Sequence, residues 1–172
     1  MELAFCHFDT PLGGMCAVGG PHGLTCVGFV EANRLDFFLK TEASRIGAAV
    51  TTRPNATPER AKKELLEYFA GTRKQFGVEL DLRGTEFQMT VWGELMKIPF
   101  GETRSYLQIA RALGDEKATR AVGSANGDNP IAIIVPCHRV VESGGGLGGY
   151  GGGLWRKERL LALERGQSAL RI

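Results

Sequence analysis

The chain has 172 residues, 43% of them apolar and 23% charged, and a net charge of +2. This composition belongs to a folded globular protein and excludes a disordered one, and no apolar run approaches the roughly 20 residues of a membrane span. The charge is too small to announce a nucleic-acid binder, although residues 1–84 are neutral overall and the whole excess lies in residues 85–172.

Residues 1–8 have neither a basic start nor an apolar core, so no signal peptide is expected and the location read from the sequence is cytoplasmic. Pro11-Leu12-Gly13-Gly14 and Gly19-Gly20-Pro21-His22-Gly23 are turn signals. Residues 15–18 between them, and 24–30 after them, read as strands of an antiparallel sheet. Residues 32–46 read as a helix with Leu35, Phe38 and Leu39 on one face. After a polar loop over 51–57, Thr57 is the expected cap of a second helix, with Pro58 at its first position and Gly71 past its end. Val78, Leu80 and Leu82 alternate, as a strand or an extended connector would.

A second unit opens at Thr85, which gives domains of 1–84 and 85–172. Thr85-Glu86-Phe87-Gln88 is a capping box, followed by Phe87, Val91 and Leu95 at four-residue intervals. Pro99 and Gly101 end that helix. Ser105-Tyr106-Leu107-Gln108 is a second box opening a helix over 106–113, Gly114-Asp115 turns the chain, and a third helix is expected over 116–126. Helix, short glycine-containing turn and helix is the pattern of a helix-turn-helix, and also of a plain helical hairpin. Residues 131–135 are all apolar and read as a buried strand or extended segment. A glycine-rich loop covers 144–153, and a last helix runs over 155–165 with Gly166 as its stop.

The cysteines are Cys6, Cys16, Cys26 and Cys137. None forms a C-x-x-C pair. The first three lie in apolar stretches and read as core thiols rather than as metal ligands alongside His7 or His22. Cys137 is different, because Pro136, His138 and Arg139 flank it. A reactive cysteine must become a thiolate, and a nearby base and positive charge raise that fraction. On an extended chain adjacent side chains point apart, so His138 reaches the thiol through a water or a bent backbone. Glu164 on the last helix is placed to orient the imidazole. The turn Asn126-Gly127-Asp128-Asn129-Pro130 ties this candidate nucleophile to the end of the third helix, so it shares one scaffold with the candidate DNA-reading helix.

Three blocks, Arg120-Ala121-Val122-Gly123, Asn126-Gly127 with Asn129-Pro130, and Ile134-Val135-Pro136-Cys137-His138-Arg139-Val140, resemble the active-site region of the O6-alkylguanine-DNA alkyltransferases. Residues 150–154, 157–164 and 87–101 continue the likeness, which covers nearly the whole chain and is strongest over 85–166. The resemblance implies an α+β protein. It has a small N-terminal α/β domain of ribonuclease H-like type with an antiparallel sheet, and a mostly helical, winged-helix-like C-terminal domain. It implies single-turnover repair, in which the alkyl group of O6-alkylguanine, and of O4-alkylthymine, moves to Cys137. His138 and Glu164 would activate the thiol, Asn129 would brace the hinge, and Tyr106 would polarise the guanine. Arg120 would replace the extruded nucleotide, while Thr119, Ala121, Gly123 and Asn126 would let the helix approach double-stranded DNA through the minor groove. The carbonyls of Cys137 and Val140 would read the guanine amine, and Tyr150 and Gly151 would line the pocket, with Gly151 in place of a serine found in some members. No cofactor, metal or membrane is implied, and the protein is expected to act as a monomer. Two other readings remain: a non-catalytic, regulatory alkyltransferase-like DNA binder, and a cysteine hydrolase.

Overall fold

A computed structural model describes residues 1–166. The end of the expected second domain, residues 167–172, lies outside the described residues. The chain divides into one unit over Met1–Arg83 and a second that begins at Gly84.

The first unit is built on a four-stranded sheet in the order β3-β2-β1-β4. Its strands are β1 (Glu2–Thr10), β2 (Gly13–Gly20), β3 (Gly23–Phe29) and β4 (Ala49–Thr51). The expected pair is present as β2 and β3, and β1 joins it antiparallel. The sheet is mixed rather than purely antiparallel, because β4 runs parallel to β1. Alternation puts Leu3, Cys16, Val18, Cys26 and Val30 into one core, against Leu35, Phe38, Leu39 and Ile46 of helix α1 (Leu35–Ile46). Helix α2 (Ala56–Phe69) packs on β1 and β2. Gly23 sits at φ +133°, and a Cβ there would lie 2.8 Å from the carbonyl of Glu79. Its bareness lets the connector run along β3, where Leu24 N–H donates to Glu79 O and Asp81 N–H to Leu24 O. The alternating Val78–Leu82 stretch is therefore an extended connector with one bridge, Leu24 to Leu80.

One cap differs from the sequence reading. Asn55, not Thr57, caps α2, and its side chain accepts from Thr57 N–H at 2.9 Å. The Thr57 hydroxyl instead donates to the Gly20 carbonyl, and Pro58 sits within the first turn, where a missing N–H costs nothing.

In the second unit, helix α3 (Glu86–Leu95) opens with the Thr85–Gln88 capping box. It buries Val91, Trp92 and Leu95, while Phe87 in its first turn stays 39% exposed. Trp92 Nε1 donates to Ala125 O at 2.8 Å and ties α3 to helix α5 (Thr119–Gly127). Helix α4 (Tyr106–Ala112) opens with the Ser105–Gln108 box and packs on both α3 and α5. The expected helix over 116–126 is split: Glu116–Ala118 form a 3-10 turn before α5 begins. Strand β5 (Arg104–Ser105) pairs in parallel with β6 (Val140–Val141). Helix α6 (Leu154–Glu164) closes the unit.

Candidate active site

The run 131–135 is neither strand nor extended. It is a compact turn in which Val135 N–H donates to Ile131 O and Ile134 N–H to Ala132 O. Ile133 adopts φ +70°, the only positive φ at a non-glycine residue among those described. A β-branched residue resists that conformation, so something must hold it. Asn129 does. Its Nδ2 donates to Val135 O at 2.8 Å and to Ile131 O at 3.2 Å, and its Oδ1 accepts from Ile131 N–H at 3.0 Å. The apolar composition that suggested a strand instead reflects burial of Ile131, Ile133 and Val135.

This turn delivers Pro136 and a single 3-10 turn, Cys137–Arg139. The bend sends neighbouring side chains to places that an extended chain would not. Cys137 is 7% exposed. Burial pushes its thiol above the ordinary value, and the Asn129 amide, the Lys157 ammonium and local backbone amides offset this only in part. Burial therefore works against the enrichment of thiolate expected from its neighbours. Arg139 does not supply the expected positive charge to it either. Its Nε and Nη2 donate to the two carboxylate oxygens of Glu164, each at 2.9 Å, and Nη1 donates to Ile98 O at 2.7 Å.

His138 is wholly buried, and its Nε2 lies 2.7 Å from Glu164 Oε1. Burial alone would raise the pKa of Glu164, but the hydrogen bonds from His138 and Arg139 and the Arg139 charge outweigh it and hold the carboxyl at about 2. Burial also lowers the pKa of His138, and the carboxylate does not reverse this. The imidazole is therefore neutral. An ionised carboxylate can only accept, so Nε2 carries the proton and Nδ1 holds a lone pair. Nδ1 is buried with no hydrogen-bond partner among the described residues.

Tyr106 is the first residue of α4. Burial raises its pKa, and the nearby backbone of Gly149 opposes this only in part. Gly123 of α5 faces the same ring, with its Cβ position 3.8 Å from Tyr106 Cδ1. The Tyr150 hydroxyl is buried without a partner among the described residues, and burial and the charge of Cys137 both raise its pKa. Gly151 has open space around its Cβ position, so nothing nearby demands a glycine there. The Cys137 carbonyl accepts from Val140 N–H and from Asn126 Nδ2 at 3.3 Å, so a further donor must share it, while the Val140 carbonyl accepts from Lys157 Nζ at 2.6 Å.

On α5, Arg120 and Ala121 are exposed, and Thr119 is half-buried with its hydroxyl donating to Glu116 O at 2.7 Å. Asn126 departs from the reading that placed it on the DNA-facing side: it is buried, and its amide is spent on the Cys137 carbonyl. Sequence reasoning missed Lys157, which is fully buried beside this cluster. Its signal was present. Residues 157, 160, 161 and 164 form one face of α6, where Lys157 and Glu164 flank two buried leucines.

Comparison with known proteins places this geometry. The family described as 6-O-methylguanine DNA methyltransferase, DNA binding domain, matches residues 86–166. The methylated-DNA–protein-cysteine methyltransferase of Mycolicibacterium paratuberculosis is 49% identical over 93% of this chain and 91% of its own length. That of Methanosarcina acetivorans is 44% identical over 91% and 95%. The Mycobacterium tuberculosis OGT solved in complex with DNA superposes with a TM-score of 0.80 at 43% identity, over 98% of this chain and 95% of that one.

Proposed function

The chain belongs to the methylated-DNA–protein-cysteine methyltransferase family, and from that premise we propose that Cys137 is the residue onto which it draws the alkyl group of O6-alkylguanine. It is a DNA-repair protein that works by alkyl transfer to itself, once per molecule. The observation that carries the assignment to Cys137 is the buried thiol followed by a neutral imidazole whose Nδ1 is unpartnered and whose Nε2 is anchored to Glu164. Cys6 is also followed by a histidine, but His7 Nε2 lies 2.9 Å from the Val30 carbonyl rather than on a carboxylate, and Cys16 and Cys26 have no histidine next to them in the chain.

In this reading the thiol loses its proton as it attacks, through a water to Nδ1 of His138. Glu164 stabilises the resulting imidazolium. Sulfur bonds the alkyl carbon as the carbon–O6 bond breaks, and the electron pair leaves with guanine. Tyr106 hydrogen-bonds the departing base, the carbonyls of Cys137 and Val140 read its amine, and Tyr150 and Gly151 line the pocket. The base must leave the duplex first, at a cost of about a few kcal/mol. Exposed Arg120 on α5 takes its place in the stack, and the small side chains of Thr119, Ala121 and Gly123 suit the minor groove. In this arrangement α4 and α5 act as a helix-turn-helix and the β5–β6 pair belongs to its wing. O4-alkylthymine fits the same chemistry. The reading takes the protein to act as a monomer in the cytoplasm; among the described residues no helix is long and apolar enough to cross a membrane.

Mass spectrometry after incubation with a duplex carrying O6-methylguanine tests the assignment. One methyl on the peptide containing Cys137, absent from Cys137→Ser while duplex binding persists, is the expected result. Methyl transfer by the serine variant would sink it.

A further inference from the structure

Lys157 is the largest charged side chain wholly inside the second unit, with no exposed surface. Burying an ammonium costs several kcal/mol unless it is well paired, and no carboxylate lies in direct hydrogen bond with it among the described residues. Instead its Nζ donates to Val140 O at 2.6 Å and to Gly149 O at 3.2 Å, and it stands 5.8 Å from the centre of the Tyr106 ring. The backbone of Gly149 also faces the Tyr106 phenol, where it acts to lower the phenol pKa against burial. Its neighbour Gly148, at φ +72°, lies so close that a Cβ there would stand 2.7 Å from the Tyr106 hydroxyl. One glycine thus touches the lysine with its carbonyl and belongs to a loop moulded around the phenol.

We propose that Lys157 is a positioning residue for the transfer reaction: its ammonium clamps the glycine-rich loop to Val140 and thereby sets where the Tyr106 phenol meets the extruded guanine. This rests on the reading that Tyr106 touches the base. A packing role alone would be met by methionine, which fills the same volume. The two carbonyls require a donor, and the strength of the hold depends on charge, since charge-assisted hydrogen bonds are the strong ones. Burial pulls the Lys157 pKa down to about 8, against the opposing influence of Cys137 and Glu142. The clamp is therefore cationic below pH 8 and loses its charge above it.

The test is single-turnover transfer from an O6-methylguanine duplex by wild type, Lys157→Met, Tyr106→Phe and the double variant, with duplex affinity and thermal melting followed alongside. Lys157→Met is expected to slow transfer by about tenfold or more at unchanged duplex affinity. With methionine in place, Tyr106→Phe should add little further loss, because the phenol is already displaced. Wild-type speed in Lys157→Met, or a Tyr106→Phe effect undiminished in that background, overturns the proposal. Should Lys157→Met fail to fold, the wild-type pH profile decides. A transfer rate that falls as pH rises through about 8 supports the clamp, and a rate that holds or climbs there overturns it. A wild-type protein that takes up no methyl group fails the assignment of Cys137, and a Tyr106→Phe variant at full speed fails that of Tyr106. Slow Tyr106→Phe beside fast Lys157→Met fails the clamp alone.

Discussion

His138 Nε2 and Glu164 Oε1 stand 2.7 Å apart with both side chains buried. That single contact determines the tautomer, because Glu164 is ionised and can only accept. It leaves Nδ1 as the base on the side not occupied by the carboxylate. Arg139 braces the same carboxylate with two hydrogen bonds, so Glu164 cannot turn to follow the ring. A rigid carboxylate, a neutral imidazole and a protonated thiol form a resting state that acts only when a proton can be moved.

Acid should dismantle this arrangement. Glu164 titrates at about 2 in the folded protein, against an ordinary 4.5. A depressed carboxyl pKa contributes stability that is complete above the unfolded value and is lost as pH falls from about 4.5 towards about 2. The shift corresponds to about 3 kcal/mol. The pKa of His138, lowered by burial, acts in the same direction, because the unfolded chain binds its proton more readily. Urea unfolding across that range should show this loss in wild type and a flatter profile in Glu164→Gln. Equal slopes in the two proteins would falsify the assignment of acid sensitivity to Glu164.

Asn129→Ala should destabilise the second unit by about 2–3 kcal/mol, the sum of three hydrogen bonds at about 1 kcal/mol each. Ile133 would then be free to leave φ +70°, and the turn that presents Cys137 would relax with it. Transfer should slow along with the loss of stability. Asn129→Asp keeps the acceptor for Ile131 N–H but sets a carboxylate oxygen against the Ile131 and Val135 carbonyls, so it should be no more stable than Asn129→Ala. Wild-type melting and transfer in Asn129→Ala would show that the turn holds itself.

Much of this site was legible in the residues, and the failures share one cause. Capping boxes at Thr85 and Ser105 are local, and both formed as written. The turn signals that bracket β2 are local too. What misled was composition without context. Five apolar residues in a row at 131–135 read as a strand, yet a side-chain amide two residues upstream bends them into a turn. Arg139 stands beside Cys137 in the chain, but its guanidinium reaches Glu164, 25 residues away. Lys157 was missed because the Val140 and Gly149 carbonyls that hold its ammonium come from other parts of the chain. Adjacency in sequence is a poor guide to electrostatics wherever a 3-10 turn rotates successive side chains.

Arg120→Ala should slow repair in duplex DNA far more than reaction with free O6-benzylguanine. Arg120 is exposed on α5 and lies outside the hydrogen-bonded cluster of His138, Arg139 and Glu164 that follows Cys137 in the chain. Its contribution is to hold the gap left by the extruded nucleotide, which a free base never opens. Rate constants for the two substrates, compared as a ratio with wild type, measure the difference. An equal loss on both would place Arg120 in the chemistry or in folding.

Alkylation of Cys137 should destabilise the protein and weaken its hold on DNA. The thiol is buried, and an added methyl must displace neighbours that are already packed, at about 1–3 kcal/mol. A thioether also donates no hydrogen bond and is a poorer acceptor for the Asn129 amide that faces the sulfur. For a chain of this size such a loss lowers the melting temperature by roughly 2–10 °C. The strain has a route to the DNA-facing helix, since Asn126 of α5 donates to the carbonyl of the same Cys137 at 3.3 Å. Movement of that carbonyl must either break the bond, leaving a buried amide unpaired, or carry the end of α5 with it. The methylated protein, prepared by stoichiometric reaction, should therefore melt earlier and bind an undamaged duplex more weakly than the free form. In Asn126→Ala, where the tether is missing, methylation should still lower the melting temperature but change the affinity less. If methylation alters neither property in wild type, the pocket receives the alkyl group without strain and the tether transmits nothing.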